Sequence, residues 1–300
     1  MLTINPKETK LSLLHNYLLG AVAPRPIAFA STIDKEGNPN LSPFSFFNVF
    51  SANPPIAVFS PARRGKDNTT KHTFENVKEV GEVVLNVVNY AMVQQTSLAS
   101  TEYPKGVNEF EKAGFTPVRS ELVKPFRVKE SPVQMECKVR EVIELNNEGG
   151  AGNLVICEIL LMHISETVLD SNKNIDPNKI DLVARMGFNW YCRASGNALF
   201  EVEKPLTKLG IGIDSLPGNI RKSSVLTGND LGQLGNVEQL PGEAEVNEFK
   251  LNELKATFKA YQNKPEMLEM ELHKTAHDLL TKGKVTEAWK TLLSINGYKK

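Results

Sequence analysis

The chain has 300 residues, of which 41% are apolar and 23% charged, enough for one large globular domain or two small ones. Thirty-five cationic residues balance thirty-five acidic ones, so no whole-molecule field draws a polyanion, and nucleic-acid binding is not expected. Three cysteines (Cys137, Cys157 and Cys192) without a CxxC pair exclude a disulfide scaffold and fit a reducing, cytoplasmic compartment. The first twenty residues lack a basic region and a small-residue cleavage site, and no run approaches ~20 apolar residues, so neither a signal peptide nor a membrane span is expected.

In chain order, residues 8–20 read as a short amphipathic helix with Leu11, Leu14 and Leu18 on one face. "APRP" precedes a strand at 27–33, because proline suits a strand start but cannot donate to a ladder. "DKEGNPN" is a turn, 41–50 an aromatic-rich strand and 56–60 a buried one. "TKHTFENVKEVG" predicts a helix capped by Asn68, Thr69 or Thr70 and ended by Gly81. Residues 82–88 read as a strand and 90–100 as a helix. In 132–142, Val133, Met135, Cys137 and Val139 alternate with Gln134, Glu136, Lys138 and Arg140, which predicts a half-buried strand with Cys137 as a buried small hydrophobe. A hairpin loop at 146–153 leads into a more buried strand at 154–164, where His163 is expected as a hydrogen-bonded core residue.

Strands outnumber helices here without alternating regularly with them. That predicts a mainly β fold, an antiparallel barrel or sandwich with helices attached, rather than a doubly wound parallel sheet. Beyond residue 200, a Gly-, Asn- and Pro-rich stretch reads as an extended wrapping segment, and helices follow from about 245. Their apolar residues Leu268, Leu272, Leu279 and Trp289 suit packing on the barrel of the same chain or on a second subunit. The domains expected are 1–200 and a C-terminal extension, 201–300.

"SPARRGKDNTTKHTFEN" (60–76) carries four cationic side chains and four hydroxyl residues where a strand gives way to a helix. Helix N-terminal amides, the hydroxyls of Ser60, Thr69 and Thr70, and the charges of Arg63, Arg64 and Lys66 suit a phosphate, with Asp67 orienting Lys66 or accepting from a hydroxyl or an amide. A solvated basic loop is the alternative. It is not a nucleotide-triphosphate loop, since Gly65-Lys66 runs into Asp67 rather than Ser or Thr. In "SPFSFFN" (42–48), strand alternation puts Phe46 and Phe47 on opposite faces, with Ser45 and Asn48 beside them, the mixture expected around a heteroaromatic ligand. Catalytic carboxylates are not located; acidic residues read as scattered on solvent faces. His273 and His277 are four apart, but "HKTAH" lacks a third ligand, so no metal site is expected.

From Pro-Arg-Pro through "STIDKEGNPN", "SPFSFFN", "NPP" and "KDNTT" to "LVARMGFNWYCRAS" (182–195), the chain resembles the flavin reductase-like, FMN-binding split-barrel family, which includes the flavoredoxins. The resemblance covers about residues 12–195. It implies a six-stranded antiparallel split β-barrel that forms a homodimer with FMN near the interface, to which this chain adds its C-terminal helical extension. By position it implies that the phosphate meets Ser60, Arg64, Lys66 and Thr69 or Thr70, near Asp67. The ring would lie on the backbone of Ser45, Phe46, Phe47 and Asn48, with Arg25 and Arg185 as supports. The function implied is hydride transfer from NADH or NADPH to FMN, then to a small acceptor or a redox partner protein. Two departures stand out. Asn68 interrupts a plain Lys-Asp-Thr, and "GGAGN" (149–153) lacks the histidine of the Gly-Asp-His that many short family reductases carry. The second departure leaves open an FMN-binding electron carrier without its own nicotinamide site.

Overall fold

In a computed structural model, residues 1–295 are described, and they fall into two compact units that divide after Phe200. The first unit contains β1 (Ala28–Ile33), β2 (Pro39–Phe44), β3 (Phe47–Ala52), β4 (Pro55–Phe59), β5 (Glu82–Val87), β6 (Pro117–Val118), β7 (Arg127–Val128), β8 (Val133–Glu144), β9 (Asn153–Ile164), β10 (Leu182–Arg185) and β11 (Tyr191–Ala194). Its helices are α1 (Leu11–Ala21), α2 (His72–Glu79), α3 (Val93–Leu98), α4 (Glu109–Ala113) and α5 (Pro177–Ile180).

Seven strands form one antiparallel sheet in the order β2-β1-β5-β8-β9-β4-β3. The edges of that sheet, β2 and β3, are separated in sequence only by Ser45 and Phe46. Three Cα–Cα steps span at most roughly 11 Å, so the sheet must curl until its edges nearly meet. That geometry makes the split barrel, and it explains the strand count. The single strand expected at 41–50 is two strands broken at Ser45–Phe46, giving seven where six were expected.

Inside the curl, Phe44 and Phe59 pack at 5.5 Å between ring centroids, surrounded by Val83, Leu85, Met135, Val155 and Ile159. Small residues in the same cluster (Ala28, Ala30 and Ala57) leave room for the two rings. The opposite face of β1 carries Phe29 into a second core with Leu41, Met92, Phe110 and Phe115, so β1 is buried on both sides.

Four expectations change. The first half of β8 is buried on both faces, because the 119–128 segment covers Gln134 and Glu136. The carboxyl of Glu136 accepts the amides of Glu121 and Leu122 and meets His163 Nε2 at 2.8 Å. Burial raises its pKa, but the amides and His163 outweigh that and hold it below the usual carboxylate value. Acidic residues are therefore not all on solvent faces: Glu109, Glu136 and Asp230 are buried. No Asn68, Thr69 or Thr70 side chain caps α2; the helix starts at His72 after Lys71, with no side-chain cap at all. The helix expected at 90–100 is a 3-10 turn, Tyr90–Met92, followed by α3.

The second unit contains α6 (Gly218–Arg221), α7 (Gly228–Gly235), α8 (Glu243–Asn252), α9 (Lys255–Ala260), α10 (Pro265–Leu280) and α11 (Val285–Leu293). The wrapping segment is thus not extended: α6 and α7 contribute Ile220 and Leu234 to a core shared with Ala276, Leu280 and Trp289. Trp289 Nε1 donates to Leu234 O at 3.1 Å, and Leu272 and Trp289 are fully buried. His273 and His277 take separate partners, Ser223 at 2.7 Å and Asp230 at 2.9 Å. Residues 296–300 of the expected extension lie outside the described residues. No described helix is long and apolar enough to cross a membrane.

Candidate functional site

Where β4 ends, the chain forms a braced loop. Ser60 N donates to Phe46 O at 2.9 Å, tying the loop to the β2–β3 break, and buried Ser60 Oγ accepts Asn153 N at 3.1 Å. Arg63 N and O pair with Ala151 O and Gly150 N, so the 146–153 hairpin loop runs as a splint along the basic loop. A Cβ on Gly149 would stand 3.1 Å from Arg64 O, so only glycine permits this close approach without a shift. The turn closes through Arg64 N to Thr69 O and Asn68 N to Arg64 O, both 2.9 Å. Asn68 takes the left-handed conformation that asparagine tolerates, with φ 58°. Its amide bonds Arg63 Nε and Asn147 O, so the inserted residue serves as a turn and brace.

The loop gathers its charges on one point. Arg64 Nε lies 2.7 Å and Lys71 Nζ 3.3 Å from Glu102 Oε1, and Lys66 Nζ contacts the other oxygen of the same carboxylate. Arg64 also donates to Thr69 Oγ1 at 2.9 Å and to Thr70 O. The hydrogen bonds from Lys66, Arg64 and Lys71 pull Glu102 down to about 2, and Glu102 in turn raises Lys66. Neither basic side chain points freely into solvent: Arg64 is 15% exposed, and the more exposed Lys66 folds back onto Glu102. Thr69 Oγ1 donates to Asp67 at 2.7 Å, and Thr70 Oγ1 to Glu75 at 2.7 Å. Asp67 therefore orients Thr69; its hydrogen bonds with Thr69 hold it below the usual carboxylate value.

A second group forms around the β2–β3 break. Arg25 is buried, and it donates to Leu19 O, to Val22 O at 2.8 Å and to Met186 O at 2.7 Å, with Ser45 Oγ at 3.4 Å. Its charge sits at the carbonyl end of α1, where a cation is favoured. Burial and then the Arg185 charge lower its pKa. Arg25 and Arg185 also exchange backbone hydrogen bonds at 2.9 Å, and Arg185 stacks on Tyr191 at 4.5 Å. Phe47 packs on the barrel core, while Phe46 is 40% exposed and meets His15 of α1 edge-on at 6.3 Å. Asn48 turns its side chain to the amide of Val49. β3 ends the sheet order, so one of its backbone edges has no strand hydrogen-bonded beside it.

The residues named from sequence thus fall into two groups, the loop and the break, joined by the Ser60–Phe46 hydrogen bond. Lys71, Glu102 and Asn153 were not singled out from sequence. Lys71 lies within the stretch already read as cationic, and it was placed in the helix instead. Glu102 carries no local signal, being 36 residues from Lys66.

The donor set fits a phosphate monoester. A guanidinium and two ammonium groups already converge on an anion, beside a helix start without a side-chain cap.

Residues 20–178, more than half of the chain, match the family described as "Flavin reductase like domain". A protein of Aquifex aeolicus (strain VF5) is 39% identical over 196 residues, covering 65% of this chain and 97% of its own length. Nitrilotriacetate monooxygenase component B from Bacillus cereus superimposes with a TM-score of 0.63 at 30% identity, covering 67% of this chain and 98% of that one. The flavoredoxin of Desulfovibrio vulgaris (Miyazaki F), 22% identical with a TM-score of 0.52 over 62% of this chain and 93% of its own, shares the fold. With the match in sequence, the split barrel and the braced strand-to-helix loop in agreement, this chain belongs to the flavin reductase-like family.

Proposed function

We propose that the chain binds FMN and passes hydride to it from NADH or NADPH. The observation that carries this reading is the convergence of Arg64, Lys66 and Lys71 on a single carboxylate next to the start of α2. These three cations neutralise the phosphate, and Arg64 engages it through directed hydrogen bonds. The Ser60–Phe46 hydrogen bond fixes the distance between the phosphate seat and the Ser45–Asn48 edge, where the ring docks. Arg25 acts by position: it clamps the end of α1, Met186 and Ser45 around the break. When bound, FMN supplies the redox chemistry itself, accepting hydride from a stacked nicotinamide. Every residue assigned to the site lies in 1–200, which we take as the flavin domain.

A second reading, an FMN-binding electron carrier, is favoured by the 149–153 loop. It carries no histidine, and its backbone is committed to bracing Arg63. Anaerobic addition of NADH or NADPH to the FMN-loaded protein separates the two. Bleaching of the oxidised-flavin bands is the expected result. Tight FMN binding without bleaching by either nucleotide would favour the carrier, and no FMN binding would contradict both.

We also propose a homodimer. Support comes from the apolar side chains Phe46, Val49 and Phe50 at the sheet edge and Leu160, Met162 and Ile164 on β9, all 38% exposed or more. Light scattering is expected to give about twice the 33.2 kDa chain mass; a monomer mass would contradict it.

A further inference from the structure

Glu102 belongs to neither group of residues assigned to the flavin, yet its carboxylate occupies the point where the cations meet. It reaches that point by its side chain alone. Its segment is held by local turns, Thr101 N to Leu98 O and Tyr103 N to Thr101 O, both outside the basic loop. The basic loop does not need Glu102 for its shape. Its turn is closed by Arg64–Thr69 and Asn68–Arg64 backbone bonds, its splint is the 146–153 hairpin loop, and Arg64 is also anchored on Thr69 and Thr70. What Glu102 supplies is an anion: one negative charge and two oxygens, shared among three cations.

A phosphate monoester brings more charge and three terminal oxygens to the same cations. A phosphate placed where the three cations meet takes the position of the Glu102 carboxylate, because the donors aimed at that point serve one anion at a time. We propose that Glu102 is an internal competitor for the phosphate seat, holding Arg64, Lys66 and Lys71 together when no ligand is present and giving them up when a phosphate ester binds. The proposal rests on the FMN reading and adds to it a residue that sets affinity. Two consequences follow from the chemistry. Glu102 lowers the affinity for every phosphate-bearing ligand and for none that lacks the group. It also keeps free inorganic phosphate from occupying the cluster, so only a ligand with further contacts along Ser45–Asn48 displaces it.

The test is equilibrium binding of FMN, riboflavin and inorganic phosphate to the full-length protein and to Glu102→Gln, which removes the charge and keeps the shape. Glu102 is 40% exposed and lies outside the hydrophobic cores, so the variant is expected to melt with the parent; Glu102→Ala serves as a second variant with the same expected direction. Both are expected to bind FMN about tenfold more tightly than the parent. Riboflavin affinity should stay within about twofold, and inorganic phosphate should compete with FMN at lower concentration than in the parent. Unchanged or weakened FMN binding in both variants, with the parent still preferring FMN to riboflavin, would overturn the competitor while leaving the phosphate seat intact. A parent protein that binds FMN and riboflavin equally, or neither, would overturn the seat itself and the competitor with it.

Discussion

Arg64→Ala is expected to weaken FMN binding by about 10- to 100-fold while leaving riboflavin affinity nearly unchanged. A hydrogen bond to a charged group contributes ~1.5–3 kcal/mol, and ~1.4 kcal/mol is a factor of ten in affinity. Arg64 is the most sheltered of the three cations, at 15% exposed against 65% for Lys66 and 29% for Lys71, so its charge is the least screened. The arginine also has a scaffolding part, since it holds Thr69 Oγ1 and Thr70 O. Arg64→Lys separates the two roles, because it keeps the charge and loses the fork. Flavin fluorescence titration reads both ligands for each variant. Equal losses for FMN and riboflavin in Arg64→Ala would mean that the loop had come apart, and would count against a dedicated phosphate contact.

The second large effect concerns the barrel. Phe59→Ala is expected to cost ~3–5 kcal/mol, seen as a melting temperature lower by about 10 °C for a unit of this size. Phe59 is fully buried, faces Phe44 across the curl, and pairs in register with Phe47 on one side and Val155 on the other. Truncation leaves a cavity between β2 and β4, one residue before Ser60. The exposed Leu122 is the control: at 57% exposed, Leu122→Ala is expected to cost ~1 kcal/mol or less. Thermal unfolding followed by circular dichroism measures both. A loss under ~1 kcal/mol at Phe59 would show that the ring is not what joins β2 to β4.

The barrel was legible because its strands carry local signals. Val133, Met135, Cys137 and Val139 alternate cleanly, and Gly81 ends a helix after Phe74 and Val77. The break at Ser45–Phe46 was not legible. It lies inside an aromatic run with good strand propensity on both sides, and only closure of the sheet forces it. The basic loop was visible in composition, but its focus was not. Lys71 lies within the same stretch, whereas Glu102 is brought in by tertiary packing and no spacing rule points to it. The burial of Glu136 likewise depends on the distant amides of Glu121 and Leu122. The 210–242 stretch misled through its glycines and asparagines, which lower helix propensity. Thr227 and Asp230, three apart, form a capping box ahead of α7, and that pair was present in the sequence as a helix-start signal. Arg25, expected as a support near the ring, spends its donors on Leu19 O and Val22 O at the end of α1 and on Met186 O, contacts that no spacing in the sequence announces.

The most direct measurement is the ratio of FMN to riboflavin affinity for the unmodified protein at low ionic strength. The two ligands differ only in the phosphate. With the phosphate on Arg64, Lys66 and Lys71, FMN is expected to bind at least about 100-fold more tightly, and the advantage should shrink as salt is added. Equal affinities, unaffected by salt, would contradict the assignment of that cluster as the cofactor's anchor.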